Sequence, residues 1–420
     1  MRKSVFVSFA IACAAVGAAC VVAGLGVPGA RAQQQLPAIA LFERGDSVVA
    51  KDVEIFDRII YLPARVNGFG PFTFVLDTGA GAFSALDQLV ADFLGMRSTL
   101  LGEGGGAGED VVKFTGIDSI SVSFEGLSFA PRQIVGLPLR RMDSQWGKRK
   151  DGLLGGDLLS TLVTCIDYEK KSVVFHDARS YEYKGPGERI PLQNFGNQIF
   201  VAAQVLLFGA ERPVEALFMI DTGVRITTFN TPFSRDNGLA AQSPKTITGV
   251  TGYGIGGVSR GVVGRVRGIK LGSIVIENPA VDFSTDESGA LADPGFSGII
   301  GADILTRFDV VIDYSRSVMV LEKNRSFAEP SEFDMSGIRF VMEGERFETL
   351  KVFSVFDGSP AAEAGIAPGD VVTTIDGKPS TDFTRETLRA YMEREGAKVR
   401  LSVTHGAETK EIALKLRRLV

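Results

Sequence analysis

The sequence predicts a mainly β protein in which one β-rich unit occurs twice and is followed by a smaller α+β domain. The central observation is a repeated heptapeptide, FVLDTGA at 74–80 and FMIDTGV at 218–224. Two more segments recur, GLLGGDLL at 152–159 with GIIGADIL at 298–305, and CIDY at 165–168 with VIDY at 311–314. The copies stay in step, because the first pair is shifted by 144 residues (77 to 221) and the second by 146 (157 to 303). A duplicated unit explains all three pairs.

Composition favours short strands and tight turns over a helical bundle. The 420 residues include 49 Gly and 29 Phe but one Trp, and 45% are hydrophobic, which suffices for two or three domains. The net charge is −5, and because residues 1–32 hold three basic side chains and no acid, the remainder carries −8. A surface of this sign does not attract nucleic acid.

Residues 1–32 are interpreted as a secretory signal peptide. Arg2-Lys3 precedes a long apolar run, and Ala30-Arg31-Ala32 forms a small-x-small cleavage site before Gln33. We therefore expect an exported protein, either periplasmic or secreted. Because the apolar run is long, the alternative is an uncleaved leader that anchors the chain in the inner membrane. Cleavage would remove Cys13 and Cys20 and leave Cys165 as the single cysteine, so no internal disulfide is expected.

Each copy begins with a predicted β-hairpin. In the first copy, apolar runs at 59–66 and 71–76 flank Asn67-Gly68, a dipeptide typical of hairpin turns. The matching runs of the second copy lie at 200–207 and 214–220, and a short helix is expected from Asp87 to Leu94. Charged segments that contain Gly or Pro separate the units. The predicted organisation is an N-terminal extension at 33–57, a first lobe at 58–180, a second lobe at 190–323 and a C-terminal domain at 334–420.

The order of features in each copy resembles the aspartic proteases of the retropepsin and pepsin type. Over residues 58–323, each Asp-Thr-Gly is followed by a Gly-rich hairpin and then by two aliphatic residues and Gly before an Asp. The resemblance implies two tandem retropepsin-like β-barrel lobes in one bilobal unit, with Asp77 and Asp221 as a shared catalytic pair. Since one chain carries both lobes, it also implies a catalytically complete monomer without a cofactor. The only histidines, His176 and His405, lack cysteine partners and argue against a zinc site or a Ser–His pair.

Two adjacent carboxylates suit the activation of water. They cannot both ionise at neutral pH, so they share a proton and titrate as a pair. The ionised member takes a proton from a water that attacks a peptide carbonyl, and the protonated member polarises the carbonyl oxygen.

Residues around the pair are predicted to support it. Thr78 and Thr222 are expected to join the two loops through hydroxyl hydrogen bonds, and Gly79 and Gly223 to permit a close backbone approach. Ser84 is expected to bond the first carboxylate. Arg225, just after the second triad, either stabilises the charged form of the pair or faces solvent.

Gly-rich segments follow both triads, at 102–108 and 249–257. Neither carries the Lys-Ser/Thr of a phosphate-binding loop. Hairpin tips without a function are one reading. The resemblance implies flaps that close over the substrate, with Gly105, Gly106, Tyr253 and Gly254 as flap residues. Tyr253 is the side chain expected to pack on or bond a bound peptide.

Four other Asp residues are assigned structural roles. Asp157 and Asp303 are interpreted as helix N-caps, because each lies where a helix is expected to start. Asp167 and Asp313 are interpreted as turn residues.

Residues 334–420 resemble a PDZ domain of the bacterial protease-associated kind. DGSPAAEAGIAPGD at 357–370 predicts a short helix capped by Ser359, followed by a strand at 371–375. The resemblance implies a groove for a peptide C-terminus, with a helix at 384–395 as one wall and these lining residues: Gly337, Ile338, Arg339, Phe340 and Leu388. A packing module without a ligand is the alternative.

The sequence thus predicts an exported aspartic endopeptidase whose PDZ module selects substrates or partners. The expected partners are protein or peptide substrates and peptide C-termini, with no nucleic acid, and a membrane only if the leader is retained. The alternative function is a catalytically silent peptide-binding protein that uses the same bilobal cleft.

Overall fold

The computed structural model describes residues 40–420. The proposed leader and the cysteines at 13 and 20 lie outside the described residues. The predicted mainly β class with a smaller C-terminal α+β domain is confirmed, since the strands form three sheets and the third lies in the C-terminal domain with two helices. Within 40–420, no helix combines the length and apolar character needed to cross a membrane.

Most of the first lobe forms an eleven-stranded sheet. The strands between residues 40 and 177 are β1 (Ala40–Phe42), β2 (Ser47–Val49), β3 (Glu54–Phe56), β4 (Ile59–Val66), β5 (Phe69–Leu76), β6 (Ala85–Asp87), β7 (Ser98–Gly104), β8 (Val112–Asp118), β9 (Val122–Phe124), β10 (Leu127–Phe129), β11 (Gln133–Leu137), β12 (Gly152–Leu154), β13 (Leu162–Asp167) and β14 (Ser172–Asp177). The helices are α1 (Gln88–Phe93), α2 (Asp143–Trp146) and α3 (Gly156–Leu159). All of these strands except β2, β13 and β14 belong to this sheet.

The second lobe forms a fifteen-stranded sheet together with β2, β13 and β14. Its own strands are β15 (Glu188–Phe195), β16 (Gln198–Leu206), β17 (Val214–Ile220), β18 (Thr228–Phe229), β19 (Ile247–Gly254), β20 (Gly257–Arg265), β21 (Gly268–Leu271), β22 (Ile274–Glu277), β23 (Ala280–Ser284), β24 (Gly298–Ile300), β25 (Phe308–Asp313) and β26 (Val318–Lys323). Its helices are α4 (Thr231–Asp236), α5 (Leu239–Gln242) and α6 (Ala302–Leu305).

The C-terminal domain is a six-stranded sheet with two helices. The elements are β27 (Ile338–Glu343), β28 (Thr349–Val355), α7 (Pro360–Glu363), β29 (Val371–Ile375), β30 (Lys378–Pro379), α8 (Arg385–Met392), β31 (Lys398–His405) and β32 (Glu408–Lys415). As predicted, Ser359 caps α7, and its side chain accepts a hydrogen bond from the Ala362 N–H. This domain has its own buried core, which includes Leu350, Val372 and Leu401.

The two lobes are joined more closely than the sequence division suggests. Strand β13, from the first copy, pairs antiparallel with β25 of the second copy, with Cys165 opposite Val311. The N-terminal segment belongs to the same sheets, because β1 pairs with β10, β2 pairs with β14, and β3 pairs with β4. A single hydrophobic core, which contains Phe74, Phe175 and Phe218, runs through both lobes.

The duplication places the two triads in equivalent positions. Strand β5 lies parallel to β12, and β17 lies parallel to β24, so each triad follows a buried strand that pairs with an aliphatic strand of its own lobe. The Asp77 N–H donates to the Leu154 carbonyl at 3.0 Å, and the Asp221 N–H donates to the Ile300 carbonyl at 3.1 Å. Each carboxylate is thus fixed at the end of a rigid strand.

Candidate active site

Asp77 and Asp221 lie next to each other at the junction of the lobes. A Cβ atom placed on Gly79 would overlap the Asp221 carboxylate, and one placed on Gly223 would overlap the carboxylate of Asp77. Only glycine leaves room for the facing carboxylate at either position. The N–H groups of Gly79 and Ala80 donate to Asp77 Oδ1, both at 3.0 Å, and the Gly223 N–H donates to Asp221 Oδ1 at 2.7 Å.

Thr78 and Thr222 cross between the two loops. The Thr78 hydroxyl donates to the Ile220 carbonyl, and the Thr222 hydroxyl donates to the Leu76 carbonyl, both at 2.7 Å. Each hydroxyl also accepts from the backbone N–H of the other threonine at 3.1 Å. Both side chains are buried, so these four hydrogen bonds hold the carboxylates in a fixed relative position.

Burial shifts the protonation of both carboxyl groups. It raises the pKa of Asp77 and raises the pKa of Asp221 still more, because the negative charge of Asp77 adds to the effect of burial. For Asp77, the positive charge of Lys150 and the loop N–H groups oppose the effect of burial. The pair therefore retains one proton, and Asp221 is the favoured holder.

Ser84 and the two supposed caps differ from the predictions. The Ser84 hydroxyl does not bond the first carboxylate, because it donates to Asp157 Oδ1 at 2.6 Å and accepts from the Gly155 N–H at 2.9 Å. In the second lobe, the Thr227 hydroxyl donates to Asp303 Oδ1 at 2.7 Å. The N-cap interpretation of Asp157 and Asp303 is wrong, because the caps are Gly155 and Gly301. The carboxylates of Asp157 and Asp303 instead accept hydrogen bonds from the segment that follows each triad and hold that segment in place.

The turn interpretation agrees with the structure. Asp167 accepts from the Lys170 N–H at 2.8 Å, and Asp313 accepts from the Arg316 N–H at 3.0 Å. Each carboxylate closes the turn that follows its strand.

A cavity of about 570 Å³ opens over the two carboxylates. Its walls are mainly apolar and include Val75, Phe114, Leu137, Leu153 and Phe296. This volume and lining suit several side chains of an extended peptide rather than a small polar metabolite. The dyad carboxylates and Lys150 are charged groups in this wall.

The two Gly-rich hairpins meet above the cavity. The Gly256 N–H donates to the Ala107 carbonyl at 2.9 Å, and the Asp110 N–H donates to the Gly256 carbonyl at 2.6 Å. Gly105, Gly106 and Gly254 line the cavity, as their interpretation as flap residues requires.

Tyr253 departs from its predicted role in the flap. Its ring does not line the cavity; it packs edge-on against Phe353 of the C-terminal domain, with 6.4 Å between ring centroids. Ile255, two positions further on, provides the apolar side chain that faces the cavity. Strand alternation would place both side chains on one face; they differ because Ile255 lies in the turn between β19 and β20.

Sequence analysis did not identify Lys150 and Trp146 beside the two carboxylates, and its interpretation of Arg225 was wrong. Lys150 and Trp146 both line the cavity, and the lysine ammonium lies against the indole ring. Arg225 neither supports the dyad directly nor faces solvent: it donates to Asp57 Oδ2 at 2.7 Å, and its guanidinium lies 5.1 Å from the Trp146 ring centroid. The corresponding connection of the second copy, between β23 and β24, contains neither Lys nor Trp, so the repeat gave no signal for them.

The predicted peptide groove of the C-terminal domain is occupied by the chain itself. The tip of the β3–β4 hairpin, Asp57-Arg58, lies between β27 and α8 and leaves a cavity of only about 140 Å³ lined by Ile338, Phe340 and Leu388, among others. The Asp57 carboxylate pairs with Arg385 at 3.1 Å and with Arg389. In this arrangement no extended peptide lies along the groove.

The loop proposed to hold a peptide carboxylate is also satisfied internally. The Gly337 N–H donates to Asp334 Oδ1 at 2.6 Å, and the Ile338 N–H donates to the Ser336 hydroxyl at 3.1 Å. Arg339 is half-buried, lines the same cavity as Ile338 and Phe340, and donates to the Thr251 carbonyl in the second flap strand. This last contact connects the C-terminal domain to the flap.

Two family models match the chain, and together they confirm the predicted kinds of domain. Residues 203–304 match the model described as aspartyl protease, a range that contains Asp221 and Asp303, and residues 335–416 match the PDZ domain model. The chain therefore combines a protease-like domain with a PDZ domain.

Curated relatives include probable CtpA-like serine proteases. The protein of Staphylococcus haemolyticus (strain JCSC1435) is 33% identical over 98 residues, which are 23% of this chain and 20% of the relative. That of Staphylococcus aureus (strain COL) is 34% identical over 95 residues, 22% of this chain and 19% of the relative. The chain thus spans about a fifth of the length of these relatives.

A search of solved structures finds the crystal structure of aspartic proteinase from Irpex lacteus. The TM-score is 0.40 with 11% sequence identity, and the alignment covers 68% of this chain and 99% of that chain.

Proposed function

We propose that this protein is an aspartic endopeptidase in which Asp77 and Asp221 activate a water molecule for attack on a peptide bond. The observation that carries the proposal is the pair of buried carboxylates, one from each lobe, that face each other under a closed pair of hairpins. The crossed threonines and the paired glycines have no equally good explanation in a purely structural role, since they hold two carboxyl groups so close together that the pair must share a proton.

The chain's own groups provide the proton transfers. Asp77 is the better base, because its pKa is less raised and the N–H groups of Gly79 and Ala80 favour its ionised form. Asp221 holds the shared proton and donates it to the carbonyl oxygen as a water between the carboxylates attacks. The resulting diol then collapses: Asp77 gives its proton to the departing nitrogen, the C–N bond breaks, and a diol hydroxyl returns its proton to Asp221, so the cycle closes without a covalent intermediate.

The serine-protease name of the partial relatives does not offer a better alternative. The cavity over the carboxylates is lined by neither histidine of the chain. His405 lies in the C-terminal domain and pairs with Asp370 at 2.6 Å, and His176 packs against Tyr181. A Ser–His nucleophile at this site is therefore not supported.

The proposal is tested with Asp77→Asn and Asp221→Asn proteins that comprise residues 33–420. Each change is nearly isosteric and should abolish cleavage of a denatured protein mixture, with cleavage sites identified by mass spectrometry. The double variant should be hardly worse than either single one, because the two groups act as a unit. Asp167→Asn, in a surface turn, is the matched control and should retain parental activity. Parental cleavage by a folded Asp77→Asn protein would refute the proposal and favour a silent peptide-binding protein.

Export and cleavage of the leader also remain proposals. The basic start and the Ala30-Arg31-Ala32 sequence support a mature chain that begins at or near Gln33. N-terminal sequencing of the protein recovered outside the cytoplasm tests this. Recovery of the intact leader in a membrane fraction would instead favour the anchored form.

A further inference from the structure

Lys150 is a buried lysine in the wall of the cavity. Its side chain is only 1% exposed, although it lies on the loop between α2 and β12. Among residues 40–420, its ammonium makes no hydrogen bond and has no carboxylate within 4.0 Å. The backbone N–H of Lys150 donates to Asp143 Oδ1 at 3.1 Å, so Asp143 fixes the loop rather than the ammonium.

A second unsatisfied donor lies beside it. The indole N–H of Trp146 is buried without a hydrogen-bond partner in the described part of the chain, and the Trp146 ring packs against the Lys150 ammonium. Buried donors normally have partners, because an unpaired one costs about 1–3 kcal/mol. Two such donors in one cavity wall indicate a place for an acceptor that comes from outside the protein.

Within the described residues, no charged group near Lys150 bonds its ammonium directly. The charged groups that face it are Asp77, Asp143, Asp221 and Arg225. Burial, assisted by the positive charge of Arg225, lowers the pKa of Lys150 well below its usual value, and this outweighs the three carboxylates. A carboxylate placed against the amine would restore its proton and form a charge-assisted hydrogen bond.

The surroundings set the shape of the group that could deliver this carboxylate. Leu137, Met142 and Leu153 line the same wall as Lys150 and Trp146. An apolar stem can pack on these side chains while its polar end reaches the two donors. Among the side chains of a peptide, glutamate has this form, and aspartate is a shorter version.

We propose that Lys150 and Trp146 form a specificity subsite that accepts an acidic side chain of the substrate, preferably glutamate, near the scissile bond. This inference rests on the proposed peptidase function and assigns a substrate class to the same cavity. The substrate carboxylate accepts hydrogen bonds from the Lys150 ammonium and the Trp146 indole N–H. Since peptides with glutamine at that position cannot supply the charge, they are poorer substrates.

The test starts from the parent protein of residues 33–420 and a peptide library. A matched pair of peptides is then made that differs only by Glu or Gln at the preferred position. We expect the parent kcat/KM to favour Glu by about tenfold or more, the factor that corresponds to about 1.4 kcal/mol. Lys150→Met, similar in length but uncharged, should remove most of this ratio, while Lys148→Met, at a nearby half-buried lysine paired with Glu54, should preserve it.

The outcomes separate this inference from the proposed function. If the parent cleaves no peptide, the proposed function fails. If the parent cleaves but shows no preference for Glu over Gln, the inference is overturned whether or not Lys150→Met folds. If Lys150→Met slows both peptides by the same factor, the inference is also overturned, because the lysine then acts on the dyad and not on the substrate.

Discussion

The two threonines next to the carboxylates show how a buried hydroxyl can serve two lobes at once. Each hydroxyl has a donor bond to the opposite carbonyl and an acceptor bond from the opposite N–H. Because the arrangement is reciprocal, loss of one hydroxyl unpairs a carbonyl and an N–H in the centre of the molecule. This makes the threonines positioning residues for the dyad.

Thr78→Val and Thr222→Val test the crossed hydrogen bonds. Valine keeps the volume but removes the hydroxyl, so each variant should lose about 1–3 kcal/mol in free energy of unfolding. Urea unfolding measures this loss, and peptide cleavage should fall in parallel because the carboxylates are less well held. Thr78→Ser should recover most of the loss, and Thr99→Val, on an exposed part of β7, is the control. Parental stability of both buried variants would show that the crossed bonds contribute little.

The raised pKa of Asp221 gives a prediction for stability against pH. Burial, with the charge of Asp77, raises this pKa in the folded state. The folded protein therefore holds the proton more tightly than the unfolded chain, so this stabilising contribution is complete below the unfolded pKa of about 3.9 and is lost as pH rises through the folded value.

Asp221→Asn cannot lose this proton, and its stability relative to the parent should therefore increase as pH rises from 4 to 8. Between the two pKa values, the difference should change by about 1.4 kcal/mol for each pH unit. Thermal melts of both proteins over a pH series measure it, with Asp167→Asn as the control. A difference that shrinks with rising pH would mean that the folded protein favours ionised Asp221.

At the level of elements, the glycines in the sequence identified the two hairpins over the cavity, but they did not predict that the hairpin tips contact each other. The sequence shows Gly-rich segments at equivalent places in both copies. It does not show that the first tip pairs with the second through Ala107, Asp110 and Gly256, because the two tips differ in length and lie far apart in the chain. For the same reason the outward direction of Tyr253 required knowledge of the domain that covers it.

Gly108→Ala should separate the hairpin tips. Gly108 has φ +94°, and an added Cβ would overlap the Gly256 carbonyl. Strain of about 1–3 kcal/mol is expected, which corresponds to a loss of about tenfold or more in kcat/KM if closure is needed for catalysis. Gly252→Ala is the matched control, because its Cβ would be 3.6 Å from Ser259 Cβ, an ordinary contact. Parental cleavage by Gly108→Ala would show that the contact between the tips is dispensable.

At the scale of the whole molecule, the duplication in the sequence predicted the two lobes, but it did not predict how the parts of the protein are joined. The repeated triads sufficed to predict two lobes and to pair Asp77 with Asp221, since a duplicated unit brings equivalent loops together around a shared axis. Repeats do not reveal exchanges between copies, such as β13 in the sheet of the second lobe. They also say nothing about Asp57, which has no counterpart in the second copy and acts through residues more than 160 positions away.

Asp57 connects three parts of the protein. Its carboxylate pairs with Arg225, four residues after the second dyad carboxylate, and with Arg385 and Arg389 on the groove helix of the PDZ domain. Although burial raises the pKa of Asp57, these guanidinium groups lower it well below its usual value, so the group stays ionised. If the predicted groove takes a peptide, that peptide must displace this carboxylate. We therefore expect occupation of the groove to be coupled to the position of Arg225.

Asp57→Asn should release the PDZ domain from the body. Asparagine keeps the side-chain shape and tolerates the positive φ of 48°, but it leaves three half-buried guanidinium groups without this anion, at a cost of up to about 3–5 kcal/mol to the docked arrangement. We expect faster proteolysis in the linker at 324–333, a larger radius of gyration by small-angle scattering, and stronger binding of peptides that end in a free carboxylate. Asp46→Asn, an exposed Asp in the same N-terminal segment, should behave like the parent. If Asp57→Asn stays compact and gains no peptide affinity, the ion cluster does not control the groove, and the module is better understood as a fixed support for the second flap.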